Sequence, residues 1–544
     1  MPETFDVVIL GGGLAGLTLA IHLRQQQPAL TILVLEKKSH PLPEAAHKVG
    51  ESSVEIGAHY FANVLGLKDH IDSGHLPKLG LRYFFDESKN DIAQRTELGG
   101  NVFFQSRSYQ LDRGRLENFL GDRAIALGAD FRHGVVVGAV DLGAGAARHQ
   151  VAWKTADGQV GSATCRWVVD AAGRAAILKR KLGLQKDHGH KANSVWWRYS
   201  TRIGIDAWSD DAAWQARNGS RSRWLSTVHL MGEGYWVWLI PLGSGSTSVG
   251  IVADDTVHPF ATMSSYEKSL EWLAKHEPQC REKLAGLDGQ LQDFLGYKHF
   301  SYHCKQVYSA DRWALVGEAG AFLDPFYSPG SDYIAMGNTI VADLIRRDTA
   351  GEGGLGLRVA GYNHIYFTLF ENHLNLYEGQ MPMWGNGQVM AAKVIWDFAY
   401  YWTVPAAYFF HGRLTDLAAF ARHRDRLNRC GELNRAVQRL FRDWYQARPR
   451  IAIPFVDIPG IPAMHQLNRE LQDPLDDAAF DARLIRNLAQ LERLAGEILR
   501  VALGDKADVD RSGLPEPATA IELLATVYGD QARERRSAPH ASAA

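Results

Sequence analysis

Cysteine is scarce: four occur in 544 residues. Cys165, Cys280, Cys304 and Cys430 lie far apart with no CxxC among them, which excludes an obvious zinc site or redox dithiol and fits a reducing cytoplasm. No metal site is expected. Net charge is also nearly absent. The 59 basic residues face 61 acidic ones, so no electrostatic footprint for a nucleic acid exists. Long hydrophobic runs are missing. The most membrane-like stretch, Val394 to Phe410, is short for a span and carries Asp397 and Pro405. It predicts a buried or substrate-facing helix and no stable membrane span. No basic stretch followed by an apolar core precedes the first strand pattern, and the expected location is cytoplasmic. Internal repeats are absent.

What is present is an ordinary globular composition, 46% hydrophobic and 22% charged, in a chain long enough for two or three subdomains. Phe5 to Leu10 is an apolar run rich in β-branched residues, the pattern of a parallel strand buried on both faces. Gly11-Gly12-Gly13-Leu14-Ala15-Gly16 follows, then a helix to about Gln25 and a second strand, Thr31 to Leu35, ending at Glu36. In this βαβ order Gly11, Gly13 and Gly16 allow the tight turn and close helix packing. The amides of Gly13, Leu14 and Ala15 at the helix start suit a pyrophosphate. Glu36 stands where an acid holds ribose hydroxyls. A dinucleotide-binding unit is predicted. A second such motif for a nicotinamide cofactor is not visible.

Residues 195 to 255 read as antiparallel strands, and the pattern after Ala335 is mostly helical. The fold class expected is α/β, with a Rossmann-type dinucleotide domain, an inserted antiparallel β-sheet substrate region and a mostly helical C-terminal subdomain. The expected boundaries are 1–340 for the first, with the insertion at about 195–255, then 341–530 for the helical part and 531–544 for a disordered tail. Trp384, Trp396, Tyr400, Tyr401, Trp402, Tyr408 and Phe409 crowd the helical region, either as core or as cover for a flat guest.

Val169-Asp170-Ala171-Ala172-Gly173-Arg174 resembles the DxxGR-type segment of FAD monooxygenase-fold enzymes, and Val316-Gly317-Glu318-Ala319-Gly320 resembles their later GD motif with Glu318 in place of Asp. Arg113 sits where that fold often places a flavin-contacting arginine, although an ordinary salt bridge explains it as well. Gly234-Tyr235-Trp236-Val237-Trp238-Leu239-Ile240-Pro241 puts two indoles on one strand face. Alone it would read as sheet core. Together with Phe322-Leu323-Asp324-Pro325-Phe326-Tyr327-Ser328-Pro329-Gly330, it resembles the WxWxIP and FxxPxxSxG motifs of the flavin-dependent halogenases. Lys48-Val49-Gly50-Glu51-Ser52 resembles the KVGES segment of halogenases acting on phenols and pyrroles, or else a capped helix start. Lys78 in Pro77-Lys78-Leu79-Gly80 looks like that family's catalytic lysine.

The resemblance implies FAD, used as FADH2 from a separate flavin reductase, with chloride or bromide as co-substrate. Gly11, Gly13, Leu14, Ala15, Gly16, Glu36, Lys48, Val49, Arg113, Asp170, Gly317 and Glu318 are the implied cofactor contacts. Ser328, Gly330 and Ser331 are the implied halide contacts. Pro329 has no N–H and removes one donor the family usually offers. Tyr327 replaces the glutamate of tryptophan halogenases, which points to a phenol, indole or pyrrole, free or carrier-tethered, in place of free tryptophan. Trp236, Trp238 and Pro241 would keep the organic substrate away from the flavin, while Lys78 presents hypohalous acid to an electron-rich carbon. The alternatives are a flavin monooxygenase that hydroxylates an aromatic substrate, a flavin-linked reductase and a non-catalytic flavin-binding protein.

Overall fold

The computed structural model describes residues 2–45, 48–86, 88–449 and 453–529. The expected tail, 531–544, lies outside the described residues. Glu3–Leu10 forms the centre of a seven-stranded sheet, between Ile32–Glu36 and Val160–Asp170, all parallel. Its last four residues, Val7 to Leu10, are fully buried, as an apolar strand covered on both faces must be. Asp130–His133 and Trp313–Leu315 extend the parallel set, while His149–Thr155 and Val135–Asp141 add an antiparallel flank. Leu14–Gln26 is the helix after the glycines.

The second sheet has eight strands, in the order 291–297, 192–199, 247–254, 235–241, 227–232, 81–85, 96–99 and 455–457. It reaches well beyond 195–255. Two of its pairings are parallel: Thr227–Gly232 on Leu81–Phe85 and Phe455–Asp457 on Thr96–Gly99. The last of these strands comes from the C-terminal region, so the helical part is stitched into the sheet. Along Tyr235–Pro241 the side chains alternate as the sequence predicts. Trp236, Trp238 and Ile240 join the large core, and Val237 and Leu239 join a separate cluster on the other face.

Gly330–Thr349 packs on the glycine helix and begins the helical region. Gly387–Tyr401 continues without a break into the wider turn Trp402–Ala406, which accommodates Pro405. Among the described residues no helix is long and apolar enough to cross a membrane.

Candidate active site

The glycine turn shows why three positions bear no side chain. A Cβ on Gly11 would lie 2.5 Å from the Ala171 carbonyl oxygen, and one on Gly16 only 1.9 Å from that of Gly11. These two serve packing. Gly13 differs, because a Cβ there would meet nothing closer than Lys48 Nζ at 3.6 Å. It begins a 13-residue helix with no side-chain cap, so its amides face open space beside a cation. That is a cradle an FAD pyrophosphate fits.

The other expected cofactor residues gather around it. Lys48 and Arg113 both pair with the buried Glu117 carboxylate, and Arg113 also donates to the Val49 carbonyl at 2.7 Å. Gly317, at φ 57°, lies against Ala15 of the helix, and a third of the Glu318 side chain is exposed beside Arg174 at 4.0 Å. Burial raises the Glu318 pKa above the usual carboxylate value, and Arg174, Arg113, Lys179 and Lys48 oppose that rise. Glu36 accepts the Gly12 and Lys38 amides, each at 2.7 Å, so it braces the turn. Asp170 sits beneath the glycine turn. It is fully buried and its two oxygens accept the Ala172 and Leu178 amides at 3.0 and 2.7 Å. Its work is to fold the strand end against the glycines, and it presents no carboxylate oxygen to a ligand.

Lys78 is buried, 2% exposed, which excludes a solvated surface lysine. Its backbone leaves the short strand Leu76–Pro77, bonded to Ser108, and turns at Gly80, φ 66°, into Leu81–Phe85. The ammonium donates to Ser52 Oγ at 2.8 Å and to the Ser53 carbonyl at 2.7 Å. An ammonium has three protons, so one remains for a guest. Burial pushes its pKa well below the usual lysine value, while Glu55 and Asp332 pull the other way.

Ser52 ties this lysine to the second motif. Ser328 donates to Ser52 Oγ at 2.9 Å, and Ser52 is also bonded to Thr227 Oγ1 at 2.8 Å. Ser328 holds a left-handed conformation, φ 57° and ψ 39°, which costs a non-glycine residue about 1 kcal/mol or more and marks a constrained turn. Pro329 then caps the 20-residue helix Gly330–Thr349 without a side-chain bond. A Cβ on Gly330 would meet nothing within 4 Å, and Ser331 Oγ is buried with no hydrogen-bond partner among the described residues. The helix start is therefore uncapped, with the Ser331 hydroxyl packed against Gly57.

Lys78, Tyr327 and Pro329 open onto one pocket with about 830 Å³ of empty space, part of it continuous with solvent. Glu55, Asp332, Asp397, Phe398, Tyr401 and Trp402 complete its inner wall. The aromatic crowd therefore divides. Tyr401 and Trp402 face the cavity, Trp384 stacks on Phe326 at 4.8 Å, and Tyr408 stacks on Phe420 at 4.2 Å in the core. Trp236 and Trp238, 5.5 Å apart, do not line the cavity. Trp236 packs on Phe326 at 5.5 Å, so the pair backs the turn that carries Ser328. Pro241 ends their strand, opposite Thr247.

Sequence reasoning missed Ser52 as the link, Glu55 and Asp332 as buried acids, and the Lys393–Asp397 pair that receives the Tyr327 hydroxyl at 2.6 Å. The KVGES segment carried the signal for the first. Nothing local marks the others, because their surroundings come from distant elements.

Residues 4–243 match the FAD binding domain family. The flavin-dependent halogenase chlA of Dictyostelium discoideum is 27% identical over 438 residues, covering 74% of this chain and 70% of that one. A 1H-pyrrole-2-carbonyl peptidyl-carrier-protein chlorinase of Pseudomonas fluorescens is 27% identical over 371 residues, 62% of this chain and 76% of that one. Among solved structures, halogenase PltM in complex with phloroglucinol and FAD has a TM-score of 0.60 at 17% identity, over 91% of this chain and 96% of that one. The myxobacterial chondrochloren halogenase CndH has a TM-score of 0.56 at 22% identity, over 71% and 86%. The chain thus carries an FAD-binding domain over residues 4–243 and is similar over most of its length to flavin-dependent halogenases, which are oxidoreductases.

Proposed function

We propose that this protein halogenates an electron-rich aromatic substrate, a phenol, indole or pyrrole, free or tethered to a carrier. It would use chloride or bromide and FADH2 delivered by a separate reductase. The observation that carries this reading is the hydroxyl of Ser52, which joins the buried Lys78 ammonium to Ser328 of the constrained turn. Bound reduced FAD would supply, with oxygen, the oxidising power that turns halide into hypohalous acid. Gly13 to Gly16, Lys48 and Arg113 would hold its phosphates, and Glu318 its polyol chain. Gly330 and Ser331 amides and the Ser331 hydroxyl would hold halide where Pro329 offers no N–H. The free proton of Lys78 would hydrogen-bond the hypohalous acid and orient its halogen into the cavity. The Trp236 and Trp238 pair would act through Phe326, fixing the turn between the two compartments.

The test is Lys78→Ala with a reductase supplying FADH2. Flavin oxidation should persist while halogenated product disappears; an unchanged yield would remove Lys78 from the mechanism. Hydroxylation is the second reading, and Pro329 favours it. Turnover that needs no halide and yields a hydroxylated product would establish it.

A further inference from the structure

Three carboxyl side chains line the cavity beside Lys78, and they are not equivalent. Asp332 accepts the Gly57 amide at 2.8 Å and the Tyr401 hydroxyl at 2.7 Å. Asp397 accepts Tyr327, Lys393 and Gln438 at 2.6, 2.7 and 2.8 Å. Both have donors on each oxygen. Glu55, on the first turn of the helix Glu55–His59, is held through Oε1 by Asn468 at 3.1 Å, and its own amide and the Trp402 indole also act on the carboxyl. On the same wall the Trp402 N–H is buried. A carboxylate and an indole N–H, close enough to act on each other, thus lie with a lysine around one pocket. They match a guest that carries a proton on an oxygen and later needs that oxygen stabilised.

We propose that Glu55 is a catalytic residue that takes the hydroxyl proton of a phenolic substrate, with Trp402 N–H donating to the resulting phenolate and Lys78 delivering the halogen. This rests on the halogenase reading and names its substrate class. The phenolate ring carbon attacks the halogen of hypohalous acid, so the carbon–halogen bond forms as the oxygen–halogen bond breaks. The leaving hydroxide takes a proton from the Lys78 ammonium and departs as water. The ring proton at the substituted carbon passes to the neutral Lys78 amine, and Glu55 returns its proton to the product oxygen. Phenol and hypohalous acid thus become halophenol and water. Burial raises the Glu55 pKa above the usual carboxylate range, which suits a base working near neutrality, while Lys78, Trp402 and Asn468 hold it down. The other charged or titratable groups around it are Asp332 and Tyr401, with Arg107, His373 and Asp397 further round the lining.

The test compares Glu55→Gln with wild type, both holding FAD and supplied by a reductase, on three acceptors: a β-diketone trap for hypohalous acid, phenol, and 4-nitrophenol above its own pKa. The variant should still deliver hypohalous acid to the trap, and its loss on phenol, about a hundredfold, the scale of general-base catalysis, should far exceed its loss on the trap. On 4-nitrophenol, already ionised, it should lose less than tenfold, and Glu55→Asp should restore part of the phenol rate. An equal loss on both phenols, or no loss, would overturn the assignment. So would a wild type that halogenates the trap and no phenol. A wild type that halogenates neither trap nor phenol would overturn the halogenase reading itself.

Discussion

Lys78 and Ser328 donate to the same oxygen, Ser52 Oγ, at 2.8 and 2.9 Å. With two donors arriving, the Ser52 proton is directed onward to Thr227, 2.8 Å away, which is bonded in turn to the Gln110 side chain. Removing this hydroxyl in Ser52→Ala leaves a buried ammonium and a buried hydroxyl short of one acceptor, a loss of about 1–3 kcal/mol. The variant should melt lower, bind FAD with unchanged affinity, and lose product yield by at least tenfold. Thermal melting and flavin titration, run beside the yield, would separate this from general unfolding. Unchanged yield would show that the link is structural only.

Gly16 and Gly13 belong to one motif but should fail differently. A Cβ on Gly16 would lie 1.9 Å from the Gly11 carbonyl, against backbone that cannot yield. Gly16→Ala should therefore lower the melting temperature of the apoprotein. Gly13→Ala meets no protein atom closer than 3.6 Å, so the apoprotein should melt normally while FAD retention falls, because the methyl occupies the cradle. Calorimetry of the apoprotein and flavin retention on a sizing column read the two effects separately. Equal losses from both variants would contradict this division.

Trp236 shows where packing and catalysis part. Its ring is buried, touches Trp238 and Phe326, and stands outside the cavity lining. Trp236→Leu should destabilise the fold by about 2–4 kcal/mol. KM for the aromatic substrate should stay within a factor of about two, since no substrate contact is removed. A large KM change with little loss in melting temperature would return the indole to the substrate wall.

The strands, the glycine turn and the alternation of Tyr235–Pro241 were legible because they depend on local periodicity and backbone freedom. The surroundings of Asp170, the Ala172 and Leu178 amides, were not legible because they form only when the turn closes. Glu55 carried no periodic signal at all. Its meaning comes from Asn468, Lys78 and Trp402, which arrive from three distant elements. The extent of the second sheet was hidden for the same reason, since Phe455–Asp457 pairs across more than three hundred positions of chain with Thr96–Gly99.

Asp332 gives the site a pH signature in stability. Burial raises its folded pKa from the ordinary aspartate value to about 7, with the Tyr401 and Gly57 donors opposing. The sign follows from linkage. A carboxyl whose folded pKa is raised binds its proton more tightly in the folded state, so its stabilising contribution is complete below the unfolded pKa of about 4 and is lost as pH rises through about 7. Over that window the slope is at most about 1.4 kcal/mol per pH unit from this group. In Asp332→Asn the amide oxygen can still accept the Gly57 N–H, and the titrating proton is gone. The variant should therefore lose less stability than wild type between about pH 4 and pH 7, and it should be the more stable of the two above that range. Denaturant midpoints across the window would measure this. Parallel curves for the two proteins would mean that Asp332 keeps an ordinary pKa despite its burial.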